Sequence, residues 1–309
     1  MSSTDTGRGH LKRFAWLSVG AAVATILLKF LAWWLTGSVG LLSDALESMV
    51  NLVAAAMTLW MLGLAARPPT AEHAFGYSKA EYFSSGIEGA MILVAALAIG
   101  WAAAGRLLDP QPLESVGLGL VLSIIASGVN LVVARALLAA SRRYGSIALE
   151  ADAHHLMTDV WTSAGVVVAV GAVAATGWTR LDPAVALAVA ANIVFTGYSL
   201  IKRSAQGLLD RALGDEQLRA IDAALQPHRD AGIVFHALRT RAAAGRSFVS
   251  LHVLVPGAWT VQRAHDLAER IEQDIAVAVP GATAFTHVEP LEDPLSYADT
   301  SLERSEGAP

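Results

Sequence analysis

Residues 151–179 read ADAHHLMTDVWTSAGVVVAVGAVAATGWT, a run without charge from Val160 to Thr179 that is entered through Asp152, His154, His155 and Asp159. Roughly 20 apolar residues wound as a helix cover about 30 Å, the hydrocarbon thickness of a bilayer. The run therefore reads as a membrane span with a polar entrance. Ionisable groups at such a depth are costly, and they face a cavity, a partner or a substrate path.

Three further stretches of that length carry no charge: 48–66, 115–134 and 183–201. Two more, 14–35 and 83–105, qualify with one blemish each, Lys29 and Glu88. The chain thus predicts six spans, at about 14–36, 39–64, 83–106, 115–139, 151–176 and 183–203. If they alternate, Arg8, Lys12, Arg13, Arg67, Lys79, Arg142, Arg143, Lys202 and Arg203 fall on one side, and only Arg106 and Arg180 on the other. Basic flanks mark the cytoplasmic face, so both termini are expected there, in a multi-pass protein of the cell (inner) membrane. The first apolar stretch is too long for a cleavable signal peptide.

The composition agrees. Of 309 residues, 54% are hydrophobic and 16% charged, and the mean hydropathy is +0.48. A soluble domain carries roughly a quarter charged residues. Cysteine is absent, which excludes disulfide frameworks, thiolate nucleophiles and every Cys-based metal site. Nine histidines and 27 Asp+Glu must supply any metal or acid–base chemistry. A net charge of −5 gives no footprint for nucleic acid.

Beyond Arg203 the charge density becomes ordinary. Periodicity predicts a helix over 215–225, strands over 232–240 and 247–255, a helix over 261–279 and a strand over 283–289. That α-β-β-α-β order suits a two-layer α+β domain. The expected organisation is a cytoplasmic N-terminus (1–13), an all-α six-helix transmembrane bundle (14–207), a cytoplasmic α+β domain (208–292) and a disordered tail (293–309).

Asp44, Glu47 and Asn51 share one face of the second span, and Asp152, His155 and Asp159 one face of the fifth. Glu47, Asn51, His155 and Asp159, paired at i and i+4 on two helices, could close one four-ligand site of mixed N and O donors, suited to a divalent transition metal. The same groups could instead only pair with one another and hold helices together. His154 points about 100° away from His155, toward packing or an interface. Lys29, Glu88 and Asn130 read as helix-contact residues.

The chain resembles the cation diffusion facilitator family, particularly its bacterial zinc/iron efflux members, over nearly all of residues 12–290. The likeness rests on an ordered set: 36–44 (TGSVGLLSD), 73–81 (HAFGYSKAE), 151–159 (ADAHHLMTD) and 209–216 (LDRALGDE). The resemblance implies a homodimer of six-helix subunits that exchanges a cytoplasmic divalent cation for protons, each with a metallochaperone-like C-terminal domain. Its transport-site positions match Glu47, Asn51, His155 and Asp159. The familiar second-span pair is Asp or His followed four residues later by Asp, so Glu47 and the neutral Asn51 depart from it. Losing a charged ligand weakens zinc relative to manganese or ferrous iron. The cargo is thereby left open among Zn²⁺, Fe²⁺, Mn²⁺ and Cd²⁺. Asp44 is an accessory to the site, or a helix-pairing or proton-path residue.

The resemblance also implies a metal site in the loop between spans two and three, but of its ligands only His73 stands here, with Thr70 and Tyr77 at the other positions. No robust site is expected there. Lys79 and Asp210 match a family ion pair at the domain junction. His236, His252, His265, His287 and Glu289 match a two-ion regulatory site at the dimer interface. His228 has no match and reads as a solvated residue.

Three functions compete. The first is a proton-coupled exporter, with the metal as cargo and regulatory ligand and no catalytic cofactor. The second is a non-transporting metal sensor or dimerisation partner with the same fold. The third, an intramembrane metalloenzyme, lacks His-Glu-x-x-His and the Glu-x-x-His pairs of a bundle-core di-iron site.

Overall fold

A bundle of six long helices follows from the apolar runs: α1 (Ser3–Thr36), α2 (Val39–Ala65), α3 (Ala80–Leu108), α4 (Leu118–Tyr144), α5 (Ile147–Thr176) and α6 (Leu181–Leu208). The computed structural model describes residues 3–36, 39–109, 118–298 and 300–301; within them, the side chains of 3–10, 32, 35–36, 39–47, 50, 118–120, 123, 170 and 174 are outside the description. Among the described residues, α1 and α3 to α6 each contain a segment long and apolar enough to cross a membrane, and α2 has an apolar helical segment over Asn51–Ala65. Trp16, Trp60, Trp101 and Phe195 are exposed on the outer surface, which suits lipid rather than water. The chain divides into two compact units, Met1–Gln206 and Gly207–Pro309.

The helices end where the chain chemistry says they should. Ser146 caps α5 by accepting the Leu149 N–H, and Gly177 closes it at φ 71°, its N–H on the Val173 carbonyl. Two interlocked cores hold the bundle. One joins Leu11 and Ala15 of α1, Leu62 of α2, Leu137 of α4 and Leu149 of α5. The other joins Ile92 of α3, Ala151 of α5, and Ile193 and Leu200 of α6. At Gly89 and Gly197 the backbones of α3 and α6 meet: a Cβ on Gly89 would lie 3.1 Å from the Gly197 carbonyl oxygen. Small residues allow this approach, and dispersion then replaces the hydrophobic effect that lipid cannot supply.

The second unit runs α7 (Asp215–Asp230), β1 (Val234–Ala243), β2 (Arg246–Val255), α8 (Val261–Ala278), β3 (Ala282–Pro290) and a 3-10 turn at Pro294–Tyr297. The order is the α-β-β-α-β of the sequence reading, with α7 running on through Pro227 to Asp230. The sheet order is β1-β2-β3, antiparallel between the first pair and parallel between the second, with α8 as the crossover. Val249, Leu251, Val253 and Val255 of β2 join Ile221 and Leu225 of α7 and Leu267, Ile271 and Ile275 of α8 in the core. Alternation along the strand sends His252 to the opposite, helix-free face. The tail does not begin as the disordered segment expected from Asp293. Asp293 accepts the Leu295 N–H at 2.9 Å, Ser296 Oγ donates to the Pro290 carbonyl at 2.8 Å, and the Tyr297 hydroxyl donates to the Leu291 carbonyl at 3.0 Å. Local side-chain bonds of this kind order a short polar stretch that composition alone marks as free.

Candidate metal centres

Inside the bundle, α2 and α5 bring Asn51, His155 and Asp159 together. His155 Nε2 lies 2.6 Å from Asn51 Oδ1, and Asn51 Nδ2 donates to Asp159 Oδ2 at 2.5 Å. Asn51 is 5% and His155 7% exposed, so this polar chain sits in an apolar interior. An amide oxygen only accepts, so His155 Nε2 carries the ring proton in this arrangement, and Nδ1 is buried without a hydrogen-bond partner. Glu47 stands one turn before Asn51 on α2 and Asp44 a further turn-length back; their side chains lie outside the described residues. The three described members border a cavity of about 460 Å³, walled on the far side by Ile87, Met91 and Val94 of α3.

Asn130 of α4 also donates to Asp159 Oδ2, at 3.0 Å, and its Oδ1 is buried without a partner. This partnership is not legible in the sequence, because one amide in an otherwise charge-free run has the signature of any helix contact. Asp152, on the same face of α5 by spacing, instead accepts from Ser18 of α1 at 3.0 Å. His154 lies beside Glu150, itself held by a two-pronged bond from Arg203 of α6.

In the second unit the strand register aligns three histidines across the sheet: His236 opposite His252, and His252 opposite His287. A bulge after His236, with Ala237 at φ 50°, re-aims the strand there. Glu289 Oε2 lies 2.8 Å from His236 Nε2 and 3.2 Å from His252 Nδ1, and its Oε1 lies 3.5 Å from His287 Nε2. His236, His252 and Glu289 each offer a ligand atom within 4.8 Å of the other two. Two imidazoles and a carboxylate at that spacing fit a borderline divalent ion such as Zn²⁺, and His236 Nδ1, buried without a hydrogen-bond partner, leaves a nitrogen to spare. His287, with a side chain 65% exposed, flanks the set. His265 is exposed on α8 and is not one of the three.

His73 lies in the exposed loop after α2, stacked on Tyr77 with ring centroids 4.4 Å apart, and Tyr77 shares a 3.1 Å hydrogen bond with Thr70. His73 belongs to no group of three His, Asp or Glu ligands among the described residues. Asp210 accepts from Arg241 of its own unit at 3.3 Å. His228 is not merely solvated: its side chain is 15% exposed and its Nε2 meets Asp274 of α8 at 2.8 Å.

Comparison with known proteins matches both units. Residues 15–209 match the cation efflux transmembrane domain, and residues 213–291 the cytoplasmic domain of cation efflux proteins. An uncharacterized transporter of Synechocystis is 55% identical over 92% of each chain. The cation-efflux pump FieF of Klebsiella pneumoniae is 31% identical over 91% of this chain and 93% of its own. Among solved structures, the zinc form of CzrB is 38% identical, covering 27% of this chain and 96% of that one, with a TM-score of 0.26. With a six-helix apolar bundle, a small α+β domain and both domain models matched in order, this chain belongs to the cation diffusion facilitator family of cation efflux transporters.

Proposed function

We propose that the chain is a homodimeric antiporter of the cell (inner) membrane, with both termini cytoplasmic, which exports a divalent transition-metal cation in exchange for protons. The family comprises transporters and not enzymes. Zn²⁺ and Fe²⁺ are the leading cargoes, with Mn²⁺ and Cd²⁺ next. The transport ligands are Glu47, Asn51, His155 and Asp159, with Asp44 as accessory. The observation that carries this reading is the chain of bonds from His155 through Asn51 to Asp159, across two helices and beside a cavity.

That chain supports an exchange. A metal can occupy His155 Nε2 only after the proton there has left or moved to Nδ1. It can occupy the shared oxygens only when Asn51 Nδ2 has turned away from Asp159. Loading thus competes with protonation of the ring: a neutral His155 needs only the shift of its proton to Nδ1, and an imidazolium must release one. The sensor alternative draws on the same pairing, since a neutral amide that already satisfies both neighbours could hold the site shut. Purified protein in liposomes with an imposed proton gradient, offered Zn²⁺, Fe²⁺, Mn²⁺ and Cd²⁺ separately, separates the two. Gradient-driven flux of at least one metal, reduced to background by Asp159→Ala, is the expected result. No flux of any metal, or equal flux in the variant, sinks the transporter reading.

His236, His252 and Glu289, with His287 and His265, are the ligands proposed for a regulatory metal site at the dimer interface. The place of His236, His252, His287 and Glu289 on the face of the sheet opposite α7 and α8 supports this, with the side chain of His287 65% exposed there. The loop around His73 is proposed to hold no metal.

A further inference from the structure

Glu88 of α3 is completely buried in the bundle. Thr58 of α2 donates to its Oε1, as does Ser84 one turn earlier on α3, at 3.2 Å, and the two hydroxyls lie 3.3 Å apart. Thr58 and Ser84 are also completely buried. Oε2 has no hydrogen-bond partner. On α5, Asp152 is also buried, with its Oδ1 held by Ser18 of α1 and its Oδ2 likewise unpartnered. From α6, Ser204 sits against Gly86 with its hydroxyl unpartnered. No lysine, arginine or histidine among the described residues bonds to either carboxyl group. A carboxyl group buried in a bundle interior with hydroxyl partners and no bonded cation is held in its protonated form by the cost of burying its charge.

We propose that Glu88 is a second proton-binding site of the bundle, distinct from the four-ligand set, and that it surrenders its proton when metal binds. Thr58 stands seven residues from Asn51 on α2, about 10 Å along the axis, and Asp152 three residues from His155 on α5. The Glu88 layer therefore lies next to the ligand layer, toward the helix ends that carry the loop after α2. A divalent charge arriving one layer away, in low dielectric, favours the ionised carboxyl group. The O–H bond of Glu88 then breaks and the proton leaves, with no change of oxidation state. A buried polar stripe on α3, Ser85, Ser84 and Glu81, runs from Glu88 to the first turn, where Glu81 accepts from Ser146 at 2.6 Å. That stripe is the exit. Only the link to cargo rests on the transporter reading.

The test uses the full chain in detergent, where no transport occurs. Infrared spectra report protonated carboxyl groups, and a pH dye in weak buffer counts protons released on Zn²⁺ addition. Glu88→Gln should lose one carboxylic-acid band and release about one proton fewer per chain at saturating Zn²⁺, with unchanged Zn²⁺ stoichiometry. An unchanged proton count, with or without loss of the band, overturns the proposal. Should Glu88→Gln fail to fold, Thr58→Val removes one hydroxyl from the group and should shift the band; an unshifted band overturns it equally. Failure of the antiporter reading would appear elsewhere, as wild-type liposomes that move no metal.

Discussion

At Asn51 an uncharged amide stands where an acid would hold a dication more strongly, and both of its polar atoms are already engaged, one with His155 and one with Asp159. Asn51→Asp would add a charge and free Asp159 of a donor. It should move selectivity toward zinc by about tenfold over manganese, a difference of about 1.4 kcal/mol. Paired-metal competition in liposomes measures the ratio; no change would remove Asn51 from the ligand set. Asn130 belongs to the same neighbourhood, because it donates to the carboxylate of Asp159, one of the proposed ligands. Its identity as a polar residue was plain in the sequence, but its partner was not. Partnership across α4 and α5 depends on how two helices rotate about their axes, and no spacing within one helix encodes that.

Elements were easier to read than sites, for a physical reason. A span announces itself by the lack of charge over its whole length, and the alternation of Val249, Leu251 and Val253 marks a strand from one segment alone. The close crossing of α3 and α6 needed the structure, since a glycine in a span has several uses. Adding bulk there is expected to be costly. Gly89→Leu should lower unfolding stability by about 1–3 kcal/mol, seen as a lower thermal midpoint in detergent. Gly105→Leu, on the same helix with no heavy atom near its missing Cβ, should leave the midpoint in place. Equal shifts for the two would show that the crossing is not packed tightly. The tail illustrates the opposite limit: its polar composition conceals a short turn held by three bonds to nearby atoms.

For the whole molecule, the two centres differ in how many imidazoles they use. The intramembrane set has one histidine, and the sheet-face set two, with a third alongside. Imidazolium does not bind metal, so if both sets bind as proposed, both should lose affinity as pH falls, the set with more histidines more steeply. Zn²⁺ titrations of the full chain between pH 8 and pH 5.5, compared with Glu289→Ala to silence the second set, should show the steeper slope only in wild type. Equal slopes would remove the histidine row from metal binding. The row itself has an order of assembly built into it. His236 and His252 sit on a hairpin, whereas His287 and Glu289 come from a parallel strand that must wait for α8 to cross over. During synthesis that strand leaves the ribosome after the hairpin and α8, so a nascent chain can assemble the complete row only once β3 has followed, after the membrane helices have already been made.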